Sequence, residues 1–331
     1  MEKYIIFSGC SFTWGQGLWM YADESVGHLP TAINWTSGKE DISVENQDIR
    51  KEYRFAEKVC NDLGDYYPLI KVYNGGTDVE SVNFIDGVFR EHSLQTSETS
   101  LWELNTTLEN VDYIILQTTQ VYRSRFLFKK DGKQYVLYSD PDFRNLTKVE
   151  EVLSTSNPNQ DYWHFKEIPN GEDFFINWLI DNNYTIDDFK QLQIKAVTND
   201  IENCLKKYHN LGKKVFLLSW TNEFLQEIIN RPFLKDIFIP LYYKDKIYSN
   251  IGALQLHEKN MRIDNDINIK RDTGFDEHPS KEAHEIIYKS IMNKIKNEKV
   301  VYDDVCNLLQ NENHILDDNN DKYYVTNGKE V

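Results

Sequence analysis

Cysteine is scarce in this chain: four in 331 residues, Cys10, Cys60, Cys204 and Cys306, with no Cys-x-x-Cys pair. Such scatter offers neither a disulfide scaffold nor a zinc site, and a reducing compartment is the default for it. Basic residues are also short, 37 Lys+Arg against 53 Asp+Glu, for a net charge of −16 with His neutral. With no Lys/Arg stripe to gather phosphates, a nucleic-acid partner is disfavoured. Long apolar runs are missing too. Segments such as Tyr113–Leu116 and Val215–Leu218 last a few residues, against the roughly 20 that a membrane-spanning helix needs. No membrane partner is therefore expected. The start, Met1-Glu2-Lys3-Tyr4-Ile5-Ile6-Phe7-Ser8, has an acidic second residue and a short apolar run, which fits a strand entering a core and not a secretory signal. The expectation is a cytoplasmic protein, and a virion-associated one would look the same.

What the chain has in quantity is aromatic surface, 20 Tyr, 17 Phe and 7 Trp, far more than a disordered chain carries. Its length allows one large or two ordinary domains with ample core. Apolar, β-rich runs alternate with helical patterns, the signature of an α/β fold with a mainly parallel sheet. Tyr4–Ser8, Leu69–Tyr73, Asp112–Thr118 and Lys214–Ser219 read as strands, with a fifth expected at Asp236–Leu241. Helical spacing marks Tyr53–Leu63, where Phe55, Ala56, Val59, Cys60 and Leu63 form a stripe and Gly64 stops the helix. Another helix is expected from about Asp78 to Arg90. A long one runs from near Thr185 to His209-Asn210-Leu211-Gly212, with Phe189, Leu192, Ala196, Ile201, Leu205 and Tyr208 as its apolar face. Residues 121–183 break the rhythm and read as an insertion on an α/β domain spanning 1–299, a lid or a partner surface. They open with a hairpin over Phe126–Tyr138, turning at Asp131-Gly132. An irregular stretch rich in Pro, Asn, Asp and aromatics follows, Asp140–Asp173. Residues 300–331 are polar and acidic, a solvated tail or an assembly segment.

Two segments carry the chemistry. In the first, Ile5-Ile6-Phe7-Ser8-Gly9-Cys10-Ser11-Phe12-Thr13-Trp14-Gly15, a buried strand ends in a Gly-Cys-Ser turn. Open α/β sheets bind ligands beyond the carboxyl ends of their strands, which is where Ser11 is delivered. In the second, Asp276-Glu277-His278-Pro279-Ser280-Lys281, Pro279 and a Ser280 N-cap open a helix whose Ala283, Ile286, Ile287, Ile291 and Ile295 face the core. His278 stands just ahead of that helix with Asp276 two residues earlier. A carboxylate so placed can fix the imidazole tautomer, leaving the other nitrogen free to take a proton from a hydroxyl. Taken singly, the two segments are also an ordinary strand-to-loop turn and an ordinary helix cap. Cys10 is a rival nucleophile in chemistry but not in direction. Consecutive residues leaving a strand point to opposite sides, which makes Cys10 a packing residue if Ser11 faces His278. His284 reads as a packed or surface residue on the final helix.

Together these residues resemble the SGNH/GDSL hydrolases, serine esterases and lipases on a flavodoxin-like three-layer α/β/α fold. The family's first block, usually Gly-Asp-Ser, is similar to Gly9-Cys10-Ser11-Phe12-Thr13, and its last block to Asp276-Glu277-His278-Pro279. The glycine of its second block is matched by Gly76 in Asn74-Gly75-Gly76. The Gly-Cys-Ser-Phe-Thr-Trp-Gly form is similar to a branch seen in phage and polysaccharide-cluster proteins. The resemblance implies Ser11 as nucleophile, His278 as general base and Asp276 as its orienter, with the backbone N–H groups of Ser11 and Gly76 as oxyanion donors. At the third block the chain departs from the family. Gly-x-Asn-Asp is usual there, and the chain has Leu116-Gln117-Thr118-Thr119-Gln120. Thr119 falls at the Asn position, with Gln120 beside it and Arg123 a little beyond. Either one of these three substitutes for the Asn or the protein is a poor esterase.

The function expected on this basis is a serine esterase that deacylates or deacetylates a glycan or a related ester, without cofactor or metal. From a different class comes a non-catalytic SGNH-like binding or virion-assembly protein, using residues 121–183 and 300–331 as contact surfaces toward copies of itself or virion partners. An O-acyltransferase would use the same triad with a sugar hydroxyl in place of water.

Overall fold

The structure is a computed structural model. It describes residues 2–15, 18–21, 33–34, 39–40, 51–64, 66–72, 82, 85, 108–119, 126–130, 133–138, 147–151, 165–166, 177–266, 278–296 and 314–315. Its centre is a parallel sheet of β1 (Lys3–Gly9), β2 (Tyr66–Val72), β3 (Val111–Thr118) and β4 (Lys214–Ser219), in the order β2-β1-β3-β4. Ile6 is the register point, opposite Leu69 on one side and Ile114 on the other, and Ile114 in turn faces Val215. Near-continuous apolar strands such as Tyr-Ile-Ile-Phe belong to a sheet covered on both faces, and the packing follows the two-residue alternation. Tyr4, Ile6, Leu69, Ile114, Leu116, Val215 and Leu217 face one helical layer. That layer comprises α3 (Ile186–Asn210), α4 (Leu225–Asn230) and α5 (Pro232–Ile237). Ile5, Phe7, Ile70, Ile115, Phe216 and Leu218 face the other, formed by α2 (Phe55–Leu63), α6 (Ile251–His257) and α7 (Lys281–Lys296). The result is a three-layer α/β/α sandwich.

This strand order decides where a site forms. After β1 the chain steps outward to β2, and from β3 it steps the other way to β4, so the connections diverge between β1 and β3. The crevice at such a switch point, beyond the carboxyl ends of the strands, is where open α/β sheets place ligands. The residues following Gly9 and Thr118 lie there.

Three expectations need correction. The fifth strand over Asp236–Leu241 does not form. Pro232 sits in the first turn of α5, a position pre-set for helix, and the helix runs to Ile237. Only Phe238 bridges to Leu217, while the Ile239 N–H donates to the Leu217 carbonyl at 2.8 Å. Leu241–Tyr243 then turns away into an antiparallel hairpin with Lys246–Tyr248 around Lys244, whose φ is 53°. Second, α3 begins and ends where expected. Thr185 and Asp188 form a capping box, and Gly212 follows the helix with φ 82°. Its buried face, however, runs through Phe189, Ile194, Val197, Ile201, Leu205 and Tyr208, while Leu192 is 43% exposed and Ala196 is exposed as well. Third, the stretch Asp140–Asp173 is not wholly irregular. Thr147–Glu151 and Phe165–Lys166 extend the hairpin Phe126–Lys130 and Lys133–Tyr138 into a four-stranded antiparallel sheet. The turn at Asp131-Gly132 lies outside the described residues, as does most of the helix expected over Asp78–Arg90, of which Val82 and Ile85 are helical. Within 300–331 the described pair His314–Ile315 lies parallel to Lys246–Tyr248. Among the described residues no helix is long and apolar enough to cross a membrane.

Candidate functional site

At the end of β1 the chain makes one helical turn, α1 (Ser11–Trp14), which Ser11 opens. Cys10 supplies the carbonyl that accepts the Thr13 N–H at 3.0 Å, and Phe12 the one that accepts the Gly15 N–H at 3.2 Å. Gly15 leaves the turn at φ 76°, a left-handed conformation that side chains rarely adopt. Gly9 is required for a different reason. A Cβ at that position would overlap Thr13 Oγ1 and come within 3.0 Å of Gln117 Cβ.

That crowding has a structural cause, because Thr13 and Gln117 fasten the turn to β3. Thr13 Oγ1 donates to Gln117 Oε1 at 2.6 Å, and Gln117 Nε2 donates to Cys10 Sγ at 3.1 Å and to the Thr118 carbonyl at 3.4 Å. The three side chains are buried. Cys10 thus packs inward under the turn, as a core residue.

His278 approaches from the far end of the chain. Its carbonyl accepts the Ile263 N–H at 3.0 Å, the Ser280 N–H donates to the Met261 carbonyl at 2.9 Å, and Arg262 and Pro279 form an antiparallel bridge. Ser280 caps α7 as expected, its Oγ accepting the Ala283 N–H at 3.2 Å and donating to the Asn260 carbonyl at 2.6 Å. So held, the half-buried imidazole meets the ring of Phe12 edge-on, with centroids 5.4 Å apart. Phe12 in turn lies 4.3 Å from the ring of Trp220, just beyond β4. The first and last blocks therefore meet at the switch point, through the residue next to Ser11.

His284 is fully buried one turn into α7, stacked on Phe55 at 5.5 Å with Nδ1 facing the Phe55 N–H at 3.4 Å. Burial, and then the positive charges of Arg54 and Lys58, push its pKa down to about 3. It is a neutral packing residue.

The third strand brings Thr119 to the same end of the sheet, where it is fully buried. Beside it Thr118 and Ser219 share a hydrogen bond of 2.8 Å, and the Ser219 hydroxyl also donates to the Thr221 carbonyl at 2.7 Å. The Trp220 N–H closes the edge onto the Thr118 carbonyl at 3.2 Å. Asp276, Gly76, Gln120 and Arg123 lie outside the described residues. Among the described residues no three His, Cys, Asp or Glu side chains gather as a metal would require.

Sequence reasoning passed over Gln117 and Trp220. The available signal for Gln117 was a primary amide inside an otherwise apolar strand, Ile114-Ile115-Leu116-Gln117, since a buried polar side chain there must find partners. No protein-family model matches the chain, and no curated protein matches it in sequence.

Proposed function

We propose that the protein is an SGNH-type serine esterase that removes an acyl group, such as acetyl, from a glycan or a related ester. The observation that carries this is the contact between the His278 and Phe12 rings, which sets an imidazole beside the residue following Ser11 at the carboxyl end of β1. In this scheme Ser11 Oγ attacks the acyl carbon while His278 takes its proton. The tetrahedral oxyanion is met by the backbone N–H groups of Ser11 and Gly76, and collapse expels the alcohol, which leaves with the proton held by His278. A water, deprotonated by the same imidazole, then attacks the acyl-enzyme and releases acid and free Ser11. Asp276 holds the imidazole tautomer. Where the family has its third-block Asn, Thr119, Gln120 or Arg123 would supply the last donor. A missing donor costs roughly 3–4 kcal/mol of transition-state stabilisation.

The test is labelling by a fluorophosphonate probe, with hydrolysis of p-nitrophenyl acetate in parallel. Wild type is expected to label at Ser11, Ser11→Ala to lose both signals, and His278→Ala to lose turnover. A folded wild type that neither labels nor hydrolyses would overturn the proposal.

One observation favours a second reading, a non-catalytic SGNH-like protein that binds or assembles. At the end of β3 the Gln117 amide is committed to the turn below it and Thr119 is wholly covered, where the family has an available Asn side chain. That reading expects Ser11→Ala to leave binding or assembly intact. An O-acyltransferase would label identically and be separated by acyl transfer to an added sugar.

A further inference from the structure

Ser11 and His278 come from opposite ends of the chain, yet proton transfer between them requires placement to within about half an ångström. The Phe12–His278 contact is one edge-on ring contact. A polar tie lies a few residues further on. Leu18–Tyr21 forms a 3₁₀ turn, with the Leu18 N–H bonded to the Gly15 carbonyl at 3.2 Å and Leu18 fully buried. Tyr21 then reaches across to the segment that carries His278. Its hydroxyl donates to Asp266 Oδ2 at 2.6 Å and accepts the Lys281 N–H at 3.3 Å. Its ring lies 5.5 Å from that of Tyr53 and 4.7 Å beneath the Lys281 ammonium.

The partners Asp266 and Lys281 lie on either side of His278 in the chain. Asp266 ends the short helix Ile263–Asp266, whose first N–H is bonded to the His278 carbonyl at 3.0 Å. Lys281 is the first residue of α7, after His278-Pro279-Ser280. One phenol therefore joins the strap that follows Ser11 to the chain on either side of His278. Burial, then the hydrogen bond to Asp266, hold the phenol protonated far into alkali, so it remains a donor.

We infer that Tyr21 is a positioning residue, acting through Asp266 and the Lys281 N–H to fix the His278 loop against the Ser11 turn. The catalytic consequence rests on the esterase proposal, whereas the geometric one does not. Tyr21→Phe removes the hydroxyl and keeps the ring. It is expected to lower kcat for p-nitrophenyl acetate about ten-fold with KM within about two-fold, since a displacement of about 1 Å can cost up to a hundred-fold. Asp266→Ala should match it, the double variant should be no slower than either single, as partners in one contact are not additive, and Asp266→Asn, which keeps an acceptor, should recover most of the rate. The second readout is the His278 ring resonance by NMR, which sits beside the Phe12 ring. It should shift in Tyr21→Phe and Asp266→Ala while those of His209 and His257 stay put. An unmoved His278 resonance, or additive losses in the double variant, would overturn the inference. If wild type neither labels nor turns over, the esterase proposal fails and the His278 shift alone decides the tie. If Tyr21→Phe does not fold, Asp266→Ala and Asp266→Asn carry the same comparison.

Discussion

Gln117 shows what a single side chain does in this site. It sits on a strand between Leu116 and Thr118, and its amide serves residues over a hundred positions earlier, accepting from Thr13 and donating to Cys10. Removing it leaves the buried Thr13 hydroxyl without its acceptor, a loss of about 1–3 kcal/mol. Gln117→Leu should therefore lower the unfolding midpoint by several degrees. If the protein is the esterase proposed above, turnover should fall by more than that destabilisation explains, because the turn it fastens is the one that carries Ser11. A cycle with Thr13→Val isolates the coupling. The double variant should cost clearly less than the sum of the singles, and strict additivity would mean that the two side chains stabilise the turn independently. Gly9→Ala belongs to the same scale, and the overlap of its Cβ with Thr13 Oγ1 should destabilise by about 1–3 kcal/mol.

Among the elements, α3 has the clearest local code. Thr185 accepts the Asp188 N–H at 3.0 Å, and the Asp188 carboxylate accepts the Thr185 N–H at 3.0 Å and its hydroxyl at 2.6 Å. Thr185→Ala should cost about 1 kcal/mol, and Asp188→Ala should destabilise in the same direction, with both read by urea denaturation. An unchanged midpoint in both would mean that packing against the sheet alone sets where α3 begins. The same helix shows why its ends were legible and its buried face was not. Caps are contiguous signals, Thr-x-x-Asp at one end and Leu-Gly at the other. The apolar stripe depends on which face the sheet takes, and shifting it by one residue turns it through about 100°, which is how Leu192 and Ala196 come to face solvent while Val197 is buried. The four central strands were legible because a strand covered on both faces announces itself by composition. The fifth was not, because Asp236–Leu241 is apolar enough for a strand yet follows a proline that starts a helix. At the candidate site, the segments around Ser11 and His278 stand out because each is local in sequence. The partners of Gln117 and Tyr21 do not, since they lie 104 and 245 residues away.

At the scale of the whole molecule, a charge that joins separate elements is Glu258, just beyond α6 and only 8% exposed. It joins α6 to the hairpin that carries the parallel strand His314–Ile315. Tyr248 donates its hydroxyl to Glu258, and Lys246 and Lys244 approach its two oxygens at 2.9 and 3.1 Å. Burial pushes the carboxyl up, but the donors from Tyr248, Lys246 and Lys244 outweigh it and hold the pKa down to about 2. In the unfolded chain the same group titrates near about 4.3. A pKa depressed by folding gives stability that is complete above the unfolded value and is lost as pH falls toward the folded one. The Glu258 contribution, at most about 3 kcal/mol, should therefore be present at neutral pH and disappear between about pH 4.5 and about pH 2. Glu202 and Glu285 act in the same direction. Burial opposes their ionisation, yet Lys206 and Arg231 in one case, and Lys58 and Lys289 in the other, bring the carboxyl below its ordinary value. Urea midpoints measured across this range should fall steeply for wild type and less steeply for Glu258→Gln, and the two curves should converge at the acid end. A gap between them of the same size at both ends would show that Glu258 acts through packing rather than charge. The hairpin and its third strand would then be joined to α6 by shape alone.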